Sequence, residues 1–272
     1  MKQLGMWEET LMVLTSDNGG YVKGIGGPCN TTHSPGGGAA APNTDWNHGT
    51  VCFNGESGAN NWPLRGGKYS MWEGGIRVNA FASGGALPAA VRGTKLNGAI
   101  HIADWYTTLA HLAGADPTDH EAARSGLPPI DSLDVWPLLS GQNATSPREE
   151  AGWLVTESLF VQGPWKYVAG GTTMTEAARG GPAYPNASTA TDPISDHNFV
   201  CPSRGCLFNV VEDPAEKDEV SEAHPDVVAH MKVEMEKRAA HIWSTSHQND
   251  PACKKAAWDR YGGFYGPWKE VE

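Results

Sequence analysis

Residues 11–20 read LMVLTSDNGG, an apolar run that stops abruptly in polar residues and two glycines. Leu11 to Leu14 have the length and character of a buried parallel strand. A strand ending in Asp17 and Asn18 sets two oxygen-bearing side chains at its carboxyl edge, where open α/β sheets build their sites. Gly19 and Gly20 let the backbone turn sharply and approach a ligand closely. One carboxylate and one amide oxygen suit a hard cation such as Ca²⁺ or Mg²⁺. The same residues also spell an ordinary Asx turn with a glycine exit. Both readings stand at this point.

Outward from that strand the texture changes twice. Residues 20 to 60 are rich in Gly, Pro, Asn and Thr and read as a long irregular excursion, with Cys29 and Cys52 near its ends as candidates to staple it. From Ile102 to Ala113 apolar residues recur at 102, 105, 106, 109, 112 and 113, a helical stripe closed by Gly114. DVWPLLSG reads as a short helical turn and SGQNATSPREE as a linker. Beyond about residue 150, WLVTESLFVQ, WKYVAGG and CLFNVVEDPAEKDEV suggest antiparallel strands. Residues 225 to 243 read as a helix with Pro225 in its first turn and Val228, Met231, Met235 and Ile242 on one face. The whole is an α/β chain.

Composition narrows the partners. At 272 residues a substantial core is expected. A formal charge of −11 argues against nucleic acid or an anionic membrane surface, because phosphate neutralisation needs clustered Lys and Arg. No apolar run approaches the roughly 20 residues of a membrane span. An anionic substrate would need a local positive feature, either a metal ion or a few placed cations.

The second informative stretch is NNWPLRGGKYSMWEGGIRVNAF, residues 60–81. Lys68 follows two glycines, and another glycine pair stands at 74 and 75. A lysine in such a loop can act as a point charge on a tetrahedral oxyanion, although an isolated lysine is ordinarily a surface residue. Arg65 and Arg77 read as partners of carboxylates such as Glu73, and Trp62 and Trp72 as packing for the loop.

TSDNGG, GANNWPLRGGKYSMWEGGIRV, HIADWYTTLAHLAG and LDVWPLLSG run in the order found in sulfatases, and the chain resembles the arylsulfatase B, I and J branch most. CLFNVVEDPAEKDEV and the terminal FYGPWKE are similar to that branch's C-terminal subdomain. The resemblance implies an alkaline-phosphatase-like α/β fold, with residues 1–145 as the C-terminal portion of the catalytic domain. Residues 150–272 would be a smaller α+β subdomain with antiparallel strands and one long helix. It implies sulfuric ester hydrolysis of aryl or carbohydrate sulfates, with sulfated glycans among the candidate substrates. Asp17 and Asn18 match ligands of the family's single calcium ion, and Lys68 matches a lysine that contacts the substrate sulfate. The family's nucleophile is a formylglycine made from cysteine. Its hydrate attacks sulfur while metal and lysines stabilise the gathering charge.

That nucleophile is expected upstream of this chain, together with a pair of metal-binding aspartates, because the family places them before SDNGG. Two alternatives follow: a catalytically inactive truncated product, or a phosphoric ester hydrolase of the same superfamily. The latter class generally uses two metals in an Asp- and His-rich site, whereas an Asp-Asn pair with a lysine suggests one cation.

FVCPSRGCLF, residues 199–208, mimics the family's Cys-x-Pro-Ser-Arg, but Pro202 follows Cys201 directly, one residue short. Cys201 and Cys206 are close enough in sequence for a loop disulfide; Cys29–Cys52 would be the other pair, leaving Cys253 odd. Sequons at Asn30, Asn143 and Asn186 tilt towards a secretory, lysosomal or extracellular setting. MKQLGMWEETLMVL lacks the apolar stretch of a signal peptide, so either the protein is cytosolic or this is not the native start; the resemblance favours the latter. His33 and His48 read as solvated loop residues bordering the expected site. EDPAEKDE, residues 212–219, lacks the ligand spacing of an EF-hand and reads as a charged turn.

Overall fold

The computed structural model describes residues 1–20, 43–45, 50–52, 60–68, 70–174, 199–242, 251–262 and 264. The chain divides into two compact units, 1–240 and 241–272. Cys29, His33, His48, the sequons at Asn30 and Asn186, and most of FYGPWKE lie outside the described residues, as do the side chains of Cys52 and Cys253.

In the first unit, strand β1 (Met12–Thr15) is followed by the antiparallel pair β2 (Asn43–Asp45) and β3 (Thr50–Cys52). After the one-turn helix α1 (Glu73–Ile76) comes β4 (Ala80–Ser83), which pairs antiparallel with β1, Met12 opposite Ser83 and Leu14 opposite Phe81. The expected buried parallel strand is thus corrected: β4 is the partner of β1 among the described residues. A two-stranded ribbon leaves a face open, and Met12, Leu14 and Phe81 stand exposed on it.

Helix α2 (Asp104–Leu112) forms where its periodicity predicts, but with the predicted stripe turned outward. Ile102, just before it, is 62% exposed and Tyr106, Leu109 and Leu112 are exposed, while Asp104 and Thr108 are fully buried. Polar bonds fasten the inner side. Asp104 accepts from the Leu133 N–H at 2.9 Å, Thr108 Oγ1 accepts from the Val135 N–H at 3.0 Å, and the Thr107 N–H donates to Ser132 Oγ at 3.0 Å. Helices α3 (His120–Arg124) and α4 (Trp136–Leu139) follow. The supposed linker then contains α5 (Pro147–Ala151), started by a capping box in which Ser146 and Glu149 bond each other's backbone.

Strands β5 (Trp153–Thr156), β6 (Leu159–Gln162), β7 (Trp165–Val168) and β10 (Cys206–Asn209) form one antiparallel sheet in the order β10-β7-β6-β5. Gly163, at φ +54°, makes the β6–β7 turn that other residues rarely adopt. A short pair, β8 (Thr173–Met174) with β9 (Phe199–Val200), lies beside it in sequence. Cys201 and Cys206 are joined by a disulfide.

Alternation along the strands gives the sheet two apolar faces. Phe160, Tyr167 and Leu207 pack under Val228, Met231 and Met235 of helix α6 (Pro225–Ala239). Ile242 lies beyond the end of α6 and is exposed. On the other face Leu159, Val161, Val168 and Phe208 pack around Trp72, whose ring meets Phe208 edge-on with centroids 5.6 Å apart. The second unit contains α7 (Pro251–Tyr261), which carries a Lys255–Asp259 pair one turn apart. Among the described residues no helix is long and apolar enough to cross a membrane.

Candidate functional site

The turn after β1 is held by its own side chains. Asp17 Oδ1 accepts from the Asn18 N–H at 2.9 Å, Ser16 Oγ donates to the Asn18 carbonyl at 2.8 Å, and Asn18 Nδ2 donates to the Gly19 carbonyl at 2.7 Å. These bonds are local, but Asp17 accepts from the next residue rather than from two residues on, so the turn is held by its side chains without the Asx-turn bond. It leaves Asp17 exposed and Asn18 half-buried.

The two sequence motifs meet here, backbone to backbone. The Gly19 N–H donates to the Gly75 carbonyl at 2.9 Å, and the Lys68 N–H donates to the Gly20 carbonyl at 3.1 Å. Asn61 ties the joint: its Oδ1 accepts from the Gly20 N–H at 2.9 Å, while its Nδ2 serves the carbonyls of Gly20 and Gly66 at 2.8 and 3.0 Å. Such proximity demands glycine, because a Cβ at Gly19 would stand 1.6 Å from the Gly74 carbonyl oxygen. Gly19→Ala is expected to cost about 1–3 kcal/mol through the forced backbone shift. Urea denaturation would measure it, and a loss under 0.5 kcal/mol, the scale of neutral surface changes, would refute the tight joint.

The Lys68 loop is closed from behind by charged groups. The Gly74 N–H donates to the Arg65 carbonyl at 2.7 Å, and the Arg65 guanidinium lies 3.6 Å from the centroid of the buried Trp72 ring. Trp72 packs the loop as expected, whereas Trp62 is half exposed. Glu73 meets Lys166 at 3.2 Å rather than serving as the expected arginine partner, and Lys166 also meets Glu216 Oε1 at 2.7 Å. That second contact is an ion pair without hydrogen-bond geometry. All three side chains are buried. Burial pushes the Glu216 carboxyl above its ordinary value, Lys166 pulls it down and Glu73 pushes it up.

A second buried pair lies in the same unit. Arg148 Nε reaches both Asp104 oxygens at 3.0 and 2.9 Å. The carboxylate also accepts the His101 N–H at 2.8 Å. Burial first, then the Arg148 charge, lowers the His101 pKa from its ordinary value.

Asp17, Asn18 and Lys68 thus stand on segments joined by direct hydrogen bonds. Glu216 and Lys166 were not singled out by the sequence. The signal was a lysine inside the buried strand WKYV, which requires a hidden counter-charge. Asn61 carried none beyond the pair NN. The oxygen donors of Asp17 and Asn18 fit a hard cation in type, but two donors fall short of the roughly six to eight Ca²⁺ takes. Among the described residues no three His, Cys, Asp or Glu side chains are grouped to hold a metal.

Residues 1–115 match the family model described as Sulfatase. Arylsulfatase J of Mus musculus is 26% identical across 100% of this chain, which spans 42% of that protein. The PsFucS1 sulfatase from Pseudoalteromonas sp. superposes with a TM-score of 0.54 at 21% identity, over 88% of this chain and 38% of that one. Ps i-CgsB, solved in complex with k-i-k-neocarrahexaose, superposes with a TM-score of 0.55 at 22% identity, over 96% of this chain and 44% of that one. The fold is the mixed α/β fold of the alkaline-phosphatase-like class. The chain is thus similar to sulfatases, through a family match over its first 115 residues and a likeness to Arylsulfatase J along its whole length.

Proposed function

We propose that this chain forms the sulfate-binding wall, and part of the metal site, of a sulfuric ester hydrolase of the arylsulfatase type. The observation that carries the proposal is the backbone joint between the Asp17–Gly20 turn and the Lys68 loop. It brings a carboxylate, an amide oxygen and a lysine onto adjoining segments of a strongly acidic chain. Lys68 would place its ammonium against the sulfate oxygens as a point charge. Asp17 and Asn18 would supply two oxygen ligands to a calcium ion. When bound, that ion withdraws electron density from a sulfate oxygen as a Lewis acid. The loop glycines keep side chains out of the joint so that the groups can approach one another.

Formylglycine does not fit the residues present. The sequence contains no Cys-x-Pro-Ser-Arg, and Cys201 is spent in a disulfide. The attacking group is assigned to the longer protein of which relatives of this chain are examples. The same two facts favour a second reading, a catalytically silent sulfatase-like protein. We assign residues 1–145 to the catalytic α/β domain and 150–272 to the C-terminal subdomain. The Cys201–Cys206 disulfide supports an oxidising, secretory setting, lysosomal or extracellular. Aryl sulfates and sulfated glycans are the substrate classes.

The purified chain is expected to bind para-nitrophenyl sulfate in the presence of Ca²⁺. Lys68→Ala should weaken that binding about 10- to 100-fold, the worth of one hydrogen bond to a charged group. Calorimetry decides it: equal affinities, or a clear preference for para-nitrophenyl phosphate, would overturn the sulfatase assignment. Turnover by the 272 residues alone would overturn the role assigned to formylglycine.

A further inference from the structure

We infer that Glu216 is a positioning residue for the Lys68 loop, setting where Lys68 stands relative to Asp17 and Asn18 by gripping both ends of residues 65–73. This rests on the sulfate-binding role proposed above. Glu216 Oε2 accepts the Glu73 N–H at 2.6 Å, and the Glu216 carbonyl accepts from Arg65 Nη1 at 3.2 Å. One residue therefore holds the loop at both ends, with both bonds out of contact with water.

Its backbone is shaped for the task. Glu216 has φ +51°, the one non-glycine residue with positive φ among the described residues. That conformation is uncommon for a side-chain-bearing residue and persists where its surroundings enforce it. It is held by the Glu216 N–H donating to the Asp213 carbonyl at 3.0 Å, and Asp213 Oδ2 in turn accepts the N–H groups of Lys217 and Asp218. The result directs carbonyl and carboxylate of the same residue to opposite ends of one loop.

From those ends the connections run to the site. Glu73 opens α1, whose Gly75 carbonyl receives the Gly19 N–H. Arg65, whose carbonyl receives the Gly74 N–H, precedes the Gly66 carbonyl that Asn61 holds. A merely structural ion network would be satisfied by Lys166 with Glu73 alone, a balanced pair. The second carboxylate adds charge without need, yet it is the one that bonds the loop backbone.

Glu216→Leu keeps much of the bulk, leaves the Lys166–Glu73 pair balanced and removes the acceptor of the Glu73 N–H. Glu216→Gln keeps an oxygen there. In the full chain, inorganic sulfate should bind about 10- to 100-fold more weakly to the leucine variant, the range seen when outer-shell supports are removed. The glutamine variant should stay within about threefold of wild type on the same reasoning. Hydrogen exchange at the Lys68 and Gly74 amides should accelerate at least tenfold in Glu216→Leu. Asp104→Asn, destabilised at its pair with Arg148 and sharing no bond with the loop among the described residues, serves as the control and should leave both amides at their wild-type rates.

Wild-type sulfate affinity and exchange in a folded Glu216→Leu would overturn the inference, as would equal acceleration in the Asp104→Asn control. If wild type itself shows no Lys68-dependent sulfate binding, the sulfatase reading falls. The ligand-free exchange rates then still decide whether Glu216 holds the loop.

Discussion

Lys166→Met is expected to lower the stability of this chain by about 3–5 kcal/mol, the usual cost of removing one partner from a buried ion pair. Lys166 is fully buried between Glu73 and Glu216, at 3.2 and 2.7 Å. Methionine fills the space of the stem but leaves two carboxylates facing each other with no cation. Burial already raises the Glu216 pKa with Lys166 present, and loss of that cation removes an influence that lowers it. Its deficit should therefore shrink as pH falls below the ordinary carboxylate range, where the carboxyls are protonated in both states. Urea titrations at neutral and acid pH would test both parts. A loss below 1 kcal/mol at neutral pH would mean that the triad is more hydrated than its burial indicates.

The second large effect is expected of Asp104→Ala. The carboxylate is fully buried, takes both contacts of Arg148 Nε and accepts the His101 and Leu133 N–H groups. Its removal strands a guanidinium that is itself buried. A loss of about 3–5 kcal/mol is expected here too, with the start of α2 and the 131–135 segment coming apart first. Thermal unfolding measures the loss. Amide exchange at Leu133, compared with Leu207 on β10 at the opposite edge of the sheet from β5, shows whether the damage is local. Uniform loosening of both amides would contradict that assignment.

How far these features could be read from the sequence depends on range. The strand segments and α6 were legible because they are rich in β-branched and aromatic residues and because α6 shows its stripe within three turns, but WLVTESLFVQ reads as one strand and holds two, β5 and β6. The site motifs were legible as residue types; their glycines read as room for a ligand, whereas Gly19 in fact approaches the Gly74 backbone. Helix α2 was legible as a helix but not in its facing. Periodicity finds an apolar stripe, and here Asp104 and Thr108 take the inner side through bonds to residues 133 and 135. Strand β1 was legible, its partner β4 was not, since nothing local distinguishes an antiparallel neighbour nearly 70 positions away. Glu216 was least legible of all. It sits in EDPAEKDE, which has the composition of a solvated turn, and only the buried Lys166 on another strand explains why one carboxylate there points inward.

The grip of Glu216 on residues 65 and 73 also dictates an order of events. Its two bonds close loops of 151 and 143 residues, and contacts of such separation are reached late because their closure entropy must be met first. Local pieces, the β5–β6–β7 meander and α6 among them, have no such delay. The Asp17–Gly20 turn and the Lys68 loop can meet early, but the loop is locked at its ends only when the turn at 213–216 has arrived. The loop that carries Lys68 is therefore locked by a segment synthesised long after it.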